Sequence, residues 1–364
     1  MRGPGWMVLI AGSLLLGACT SLPTPAEAPQ TAPALMAQSA KSEPTSGASA
    51  LLVDHARFTG TGAKWWAEGA KWWAEGAKWW AEGAKWWAEG AKWWAEGVFG
   101  PMPANSEILR AVRVDVAQTR APRMGQGVVI AVLDSGVDAA HPMLRGALLP
   151  GRDFVDNDLD PAEEGTDADV AYGHGTAVAG LLRQVAPGAM ILPLRVLGSD
   201  GSGKASSVAD AIRFAVDQGV QVIHLSIAAP VASEGVRAAL QLAASRGVLI
   251  VAACGNDGSN RPEAPANALD GKNPLGRSGV SVSAVQTDGR FPEWSTRGGE
   301  VLAPGVAVQS AYPGGRTVSA SGSSFAGPLV TGALALALAE GQDAATLAAR
   351  LSSGKLLDAA QLLQ

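Results

Sequence analysis

Residues able to do chemistry stand in four short runs of the chain: Asp134 in VLDSGVD (132–138), His174 in GHGTAVAG (173–180), Asn256 in AACGN (252–256) and Ser324 in GSSFAGP (322–328). A carboxylate, an imidazole and a hydroxyl are the groups from which an activated oxygen nucleophile is assembled. Taken singly, each also has an ordinary structural use. Asp134 can cap a strand end, His174 can sit in a loop, Asn256 can form a turn and Ser324 can cap a helix. Two further runs invite a reading. GSDGSGKA (198–205) follows an apolar run and opens a helical pattern much as a phosphate-binding loop does, but Ala205 lacks the hydroxyl that would hold Mg²⁺. Asp156, Asp158 and Asp160 alternate in a stretch that also holds Asp153, Glu163, Glu164, Asp167 and Asp169. Their spacing imitates a calcium loop, with Pro161 where such a loop requires glycine for its sharp turn. A solvated acidic loop is the plainer alternative.

The elements that must position these residues are legible from the apolar pattern. Gly127–Asp134, Met190–Leu197, Val220–Ile227 and Val248–Ala253 are β-branched apolar runs, and helical patterns over Ser206–Gln218 and Val236–Arg246 lie between them. That alternation predicts an α/β fold with a mostly parallel sheet flanked by helices. Ligand and reaction sites in such folds form beyond the carboxyl ends of strands, where Asp134 and Asn256 stand. A further helix is predicted from Ser324 to Ala339.

In the order Asp, His, Ser, with the asparagine run between the last two, the four runs resemble the motifs of the subtilisin-like serine proteases, the subtilases, across residues 105–351. The resemblance implies a subtilisin-like fold and hydrolysis of peptide bonds. Ser324 would be the nucleophile, His174 would take its proton and return it to the leaving amine, and Asp134 would orient the imidazole and stabilise its cation. Asn256 would donate to the tetrahedral oxyanion, a contact worth about 10²–10³ in turnover, a magnitude that comes from subtilisin itself. Gly201, Ser202 and Gly203 on one side, and Ser226, Ile227 and Ala228 on the other, resemble the lining of a cleft in which a peptide adds as a β-strand. Some positions depart from the family pattern. Ser323 replaces a common threonine, Phe325 a methionine, Ala177 a second histidine and His224 an asparagine; Ala228 replaces a glycine and would narrow the first specificity pocket. A buried, hydrogen-bonded ring is expected at His224 and a structural one at His141, while His55 has no role.

The N-terminal part is of another kind. The apolar run Trp6–Leu16 after Arg2 is shorter than the ~20 residues that a membrane span needs, so residues 1–18 read as a cleaved signal. LGAC (16–19) resembles the bacterial lipobox, which implies lipidation of Cys19; an ordinary signal peptide is the alternative. Residues 19–62 are rich in Pro, Ala and Ser and read as a tether that cannot offset its own ordering entropy. Residues 63–97 are five copies of AKWWAEG and hold ten of the 12 tryptophans. On a helix, Trp65, Trp66 and Gly69 share one face and Lys64 and Glu68 the opposite one. An interfacial membrane helix, a docking surface and a spacer are the three readings of this block. Tether and repeats fill most of the space before Asn105, leaving no legible inhibitory pro-domain.

Composition closes off other classes. The chain has 364 residues, a net charge of −5 and no basic run, so it offers no electrostatic footprint for nucleic acid. Two cysteines exclude a disulfide scaffold. The expectation is an exported serine endopeptidase, lipid-anchored in a bacterial cell envelope, acting on protein or peptide substrates. It would require no cofactor, with calcium left open, and would meet the membrane through its lipid and the repeats. Residues 352–364 are expected to form a helical tail. The rival expectation is a catalytically weak subtilase-like binding protein whose working surface is the Trp block.

Overall fold

The computed structural model describes residues 50–53, 101–229, 231, 233–269, 275, 278–351 and 354–364. Cys19, His55 and all five heptads lie outside the described residues. In chain order the elements are β1 (Ala50–Val53), α1 (Ser106–Ala111), α2 (Val114–Arg120), β2 (Val129–Asp134), β3 (Arg152–Asp153), α3 (His174–Val185), β4 (Met190–Arg195), β5 (Ser202–Lys204), α4 (Ala205–Asp217), β6 (Val222–Leu225) and β7 (Ile227–Ala228). There follow α5 (Glu234–Ser245), β8 (Leu249–Ala253), β9 (Gly279–Val285), β10 (Val301–Pro304), β11 (Val308–Tyr312), β12 (Arg316–Ala320), α6 (Ser323–Ala339), α7 (Ala344–Leu351) and β13 (Lys355–Leu356).

Eight strands make one parallel sheet in the order β13-β10-β9-β8-β6-β2-β4-β3. Its strands read as continuous apolar runs because both faces are covered. The two-residue period then sorts side chains between two cores. Ile130 and Val132 of β2 pack with α3 and α6, while Ala131 and Leu133 pack with α4 and α5; Val251 and Ile250 of β8 divide the same way. From β2 the chain runs out to the edge strand β3, comes back to β4 beside β2 and then crosses β2 to β6, so the order reverses beside the end of β2. A crevice opens at such a switch point.

Helix α6 is apolar on nearly all sides and buried along almost its whole length, as a central core helix must be. Pro328 lies inside it and has no N–H, which leaves the Ser324 carbonyl without its intrahelical donor. The C-terminal stretch departs from the expected helical tail. Residues 355–356 instead add β13 to the edge of the main sheet, and a 3-10 turn over Ala359–Leu363 ends the chain. Two small antiparallel sheets complete the fold, the hairpin β11-β12 and the three-stranded β5-β1-β7.

Candidate active site

Asp134 is the last residue of β2 and His174 the first of α3, and the two are drawn together by glycine. A Cβ on Gly175 would meet the Gly136 carbonyl oxygen at 2.1 Å and the Asp134 Cβ at 3.0 Å, so the helix can approach the strand end this closely only without a side chain there. Gly173, the N-cap, has φ 82°, in the region where glycine is unstrained. The result is a 2.6 Å contact between His174 Nδ1 and Asp134 Oδ1, with both side chains essentially inaccessible to solvent. Asp134 Oδ1 also accepts the Ser135 N–H at 2.8 Å. The other flank of the imidazole packs on Phe325, with ring centroids 5.4 Å apart. Phe325 is the neighbour of Ser324, so the ring lies between the carboxylate and the start of α6.

The sequence places two serines there, and the structure gives them different surroundings. Ser323 is bound into the scaffold: its N–H donates to Asn256 Oδ1 at 2.8 Å and its Oγ accepts the Gly255 N–H at 3.2 Å. Ser324 Oγ lies 3.5 Å from the Ser226 carbonyl oxygen. Asn256 follows β8, and its carbonyl end is tied to Ser323, which fixes the orientation of the amide. Its Nδ2 is buried and has no hydrogen-bond partner among the described residues. A buried primary amide with an unused donor beside a helix N-terminus can receive negative charge.

The carbonyl that Pro328 leaves open on Ser324 is met from outside the helix. Ser226 Oγ donates to it at 3.1 Å, His224 Nε2 lies 2.8 Å from the same Oγ, and His224 Nδ1 lies 2.8 Å from Thr331 Oγ1. Since the Ser226 proton is committed to Ser324, Nε2 must be the protonated nitrogen and Nδ1 the acceptor. Complete burial, with His174 nearby and against a smaller opposing influence of Asp134, pushes His224 down to about 4. The expected buried, hydrogen-bonded ring is therefore present, and it is neutral.

Residues 202–204 and 227–228 form the edges β5 and β7, and β1 of the same chain lies between them, antiparallel to both. Leu51 is opposite Gly203, Leu52 is opposite both Ser202 and Ala228, and Val53 is opposite Ile227. Gly203 is backed by the Val196 carbonyl, which a Cβ would approach to 2.5 Å. Ser226 follows next along this edge and is the residue whose carbonyl faces Ser324. No sequence signal marked residues 50–53 as a strand, because four apolar residues at the end of a Pro/Ala/Ser-rich tether carry no period of their own.

The acidic loop is organised differently from the alternating run. Asp158 and Asp160 accept N–H groups of their own loop, from Asp160 at 2.9 Å and Ala162 at 3.2 Å. Asp156 is grouped instead with Asp153 and Glu164, the three offering oxygens within 4.8 Å of one another. That space is served by a cation of the chain: Arg195 contacts Asp153, reaches Asp156 at 2.7 Å and Glu164 at 2.8 Å. Asp167 pairs with Arg316 at 2.7 Å. Glu163 turns inward, to the turn after Asp134 and the first turn of α3, a placement the sequence did not reveal. His141 has a structural role, with Nδ1 accepting the Met143 N–H and Nε2 2.8 Å from the Arg316 carbonyl. Gly198–Ala205 leads from β4 through β5 into α4, and Asp200 accepts both the N–H and the hydroxyl of Ser202.

Comparison with known proteins agrees with this geometry. The family model of the subtilases matches residues 125–358. Thermitase of Thermoactinomyces vulgaris is 36% identical over 241 residues, spanning 63% of this chain and 81% of thermitase. A thermophilic serine proteinase of Bacillus sp. (strain AK1) is 37% identical over 229 residues, 60% of this chain and 53% of that protein. Subtilisin E of Bacillus subtilis (strain 168) is 33% identical over 251 residues, 64% of this chain and 63% of its own. With a parallel sheet of this order, the aspartate and histidine in contact at a strand end and the serine at the head of the central helix, the chain belongs to the subtilase family of serine-type endopeptidases.

Proposed function

We propose that the chain cleaves peptide bonds through Ser324, His174 and Asp134, with Asn256 as a donor to the oxyanion. The observation that carries the reading is the buried 2.6 Å contact of His174 Nδ1 with Asp134, with the ring lodged against Phe325 beside Ser324. A hydrogen bond to a carboxylate fixes Nδ1 as the protonated nitrogen and leaves Nε2 basic. Nε2 takes the Ser324 proton as Oγ attacks the carbonyl carbon, and then delivers it to the departing amine. Water repeats the sequence on the acyl-enzyme. As the tetrahedral oxygen gains charge, the spare Asn256 N–H stabilises it without having to break another bond.

Gly201–Gly203 and Ser226–Ala228 receive the substrate as an added strand, with main-chain bonds giving affinity and pockets beneath alternate side chains giving selection. The antiparallel seating of β1 between those edges supports this, and an external peptide must displace it. We place the enzyme at a bacterial cell envelope, held by a lipid on Cys19, with the tryptophan heptads next to the membrane. A fluorophosphonate probe tests the chemistry. It labels the folded protein and not the Ser324→Ala variant if the reading holds; no labelling of either favours a binding protein built on the same fold.

A further inference from the structure

Glu163 comes from the acidic loop, outside the four motif runs, and yet touches both segments that carry the Asp134–His174 pair. Its Oε2 accepts the Gly173 N–H at 3.0 Å, and its Oε1 accepts the Thr176 N–H at 3.0 Å and the Thr176 hydroxyl at 3.1 Å. Ser135, next to Asp134, turns its hydroxyl to both oxygens at 3.2–3.3 Å and accepts the Gly175 N–H at 3.1 Å. Helix α3 has glycine at its N-cap and so no cap of its own. The N–H groups orphaned at a helix start must find acceptors. Here those of Gly173, Gly175 and Thr176 find them on Glu163 and Ser135, residues distant in sequence. Thr176 closes the ring from the other side, its Oγ1 accepting the Asp138 N–H at 2.9 Å.

We propose that Glu163 is a positioning residue for catalysis: a cap supplied by the acidic loop of the same chain that locks the first turn of the histidine helix to the turn after Asp134 and so sets the His174–Asp134 geometry. Four donors converge on one carboxylate, and all four belong to residues within two positions of Asp134 or His174. The inference rests on the catalytic reading above. Desolvation, with Asp134 adding to it against the bonds from Gly173 and Thr176, pushes Glu163 up to about 7. The charge that acts on it is Asp134 at the end of β2; the titratable ring that Asp134 holds, His174, opens α3, and the neighbouring Glu164 is already paired to Arg195. Its ionised form offers acceptors to every donor, whereas a proton on either oxygen removes one of them.

Glu163→Gln keeps the length and one acceptor oxygen and loses the charge. It should lower kcat by about tenfold, the order expected of a small displacement of catalytic groups, with KM within twofold. The acid limb of the pH–rate profile should also move to lower pH. Following the His174 ring by NMR in a Ser324→Ala background gives a readout independent of turnover: its titration should shift to lower pH when the nearby negative charge is removed. Ser135→Ala, which removes the bridging hydroxyl alone, should move both readouts the same way by a smaller amount and serves if the first variant does not fold. Folded variants with unchanged kcat and an unchanged His174 titration would overturn the proposal. Failure of wild type to turn over peptide would count against the catalytic reading alone, and the His174 titration would still decide the role of Glu163.

Discussion

His224 gives the sharpest prediction, because its environment fixes both its protonation state and the direction of a pH effect. In the folded chain the ring is neutral, donating through Nε2 to Ser226 and accepting through Nδ1 from Thr331, and it stays neutral down to about pH 4. In the unfolded chain it titrates near 6.5. As pH falls below 6.5 the unfolded chain binds a proton that the folded chain refuses, so stability present above 6.5 is lost progressively until about pH 4. At about 1.4 kcal/mol for each tenfold in proton affinity, the whole loss is about 3 kcal/mol. His224→Asn removes the titrating group while keeping a donor and an acceptor. Urea unfolding of both forms in a Ser324→Ala background prevents self-digestion, and circular dichroism avoids the fluorescence of the tryptophan heptads. The difference in unfolding free energy between wild type and His224→Asn should change by about 3 kcal/mol between pH 7 and pH 4, wild type falling by that amount relative to the variant on acidification. Parallel curves for the two would show that the ring is not held neutral and would remove the argument for a fixed chain of bonds from Thr331 to the Ser324 carbonyl.

Other expectations follow from the same contacts. Asn256→Ala should lower kcat by about 10²–10³, the subtilisin-derived magnitude for such a donor, with little change in KM; an equal fall in labelling by a fluorophosphonate would support a direct role, and a rise in KM alone would contradict it. Replacing Leu51 and Leu52 by proline takes two N–H donors out of β1. A tethered segment competes at an effective concentration on the order of millimolar, so the apparent KM for a short peptide should fall at least about twofold with kcat unchanged; an unchanged KM would mean that the strand is no competitor. Glu163→Gln should also alter stability, since a group raised from 4.5 to about 7 on folding contributes stability that is full below 4.5 and lost as pH rises to 7. The variant should lack that loss, a difference of about 3 kcal/mol at most, read by the same urea titrations.

The strands that carry Asp134, His224 and Asn256 were legible because a doubly covered parallel strand leaves an unbroken apolar run, and β2, β4, β6 and β8 fall within the runs that mark them. β9 escaped the same reading although it is buried throughout. Its sequence GVSVSAV interrupts the run with Ser281 and Ser283, which are satisfied inside the fold by the Glu300 N–H and the Thr296 carbonyl. The contact of Asp134 with His174 followed from motif order, but the partners that brace it did not. Glu163 lies in a stretch where eight acidic side chains look alike, and only the folded loop separates one that turns inward from those that pair with Arg195 or meet their own backbone. Ser226 and Pro328 were visible as residues of the family pattern; the open carbonyl that connects them exists only once α6 is built.

Two buried ionisable groups therefore adjoin the site, Glu163 at the first turn of α3 and His224 through Ser226 at the Ser324 carbonyl, and their linkages to pH have opposite signs. From about pH 4.5 to 6.5 the contribution of neutral His224 grows as pH rises, while the desolvated Glu163 carboxylate costs progressively more over the same interval. Each spans about 3 kcal/mol, so in wild type the two largely cancel there. The stability of the native chain should then vary little with pH across that interval on their account, and each single variant should expose the slope of the other: Glu163→Gln should gain stability as pH rises, and His224→Asn should lose it. In the double variant the flat profile returns, even though neither titrating group remains. A steep wild-type profile that the double variant leaves steep would locate the pH dependence elsewhere in the fold and would separate it from the contacts that hold Asp134, His174 and Ser324.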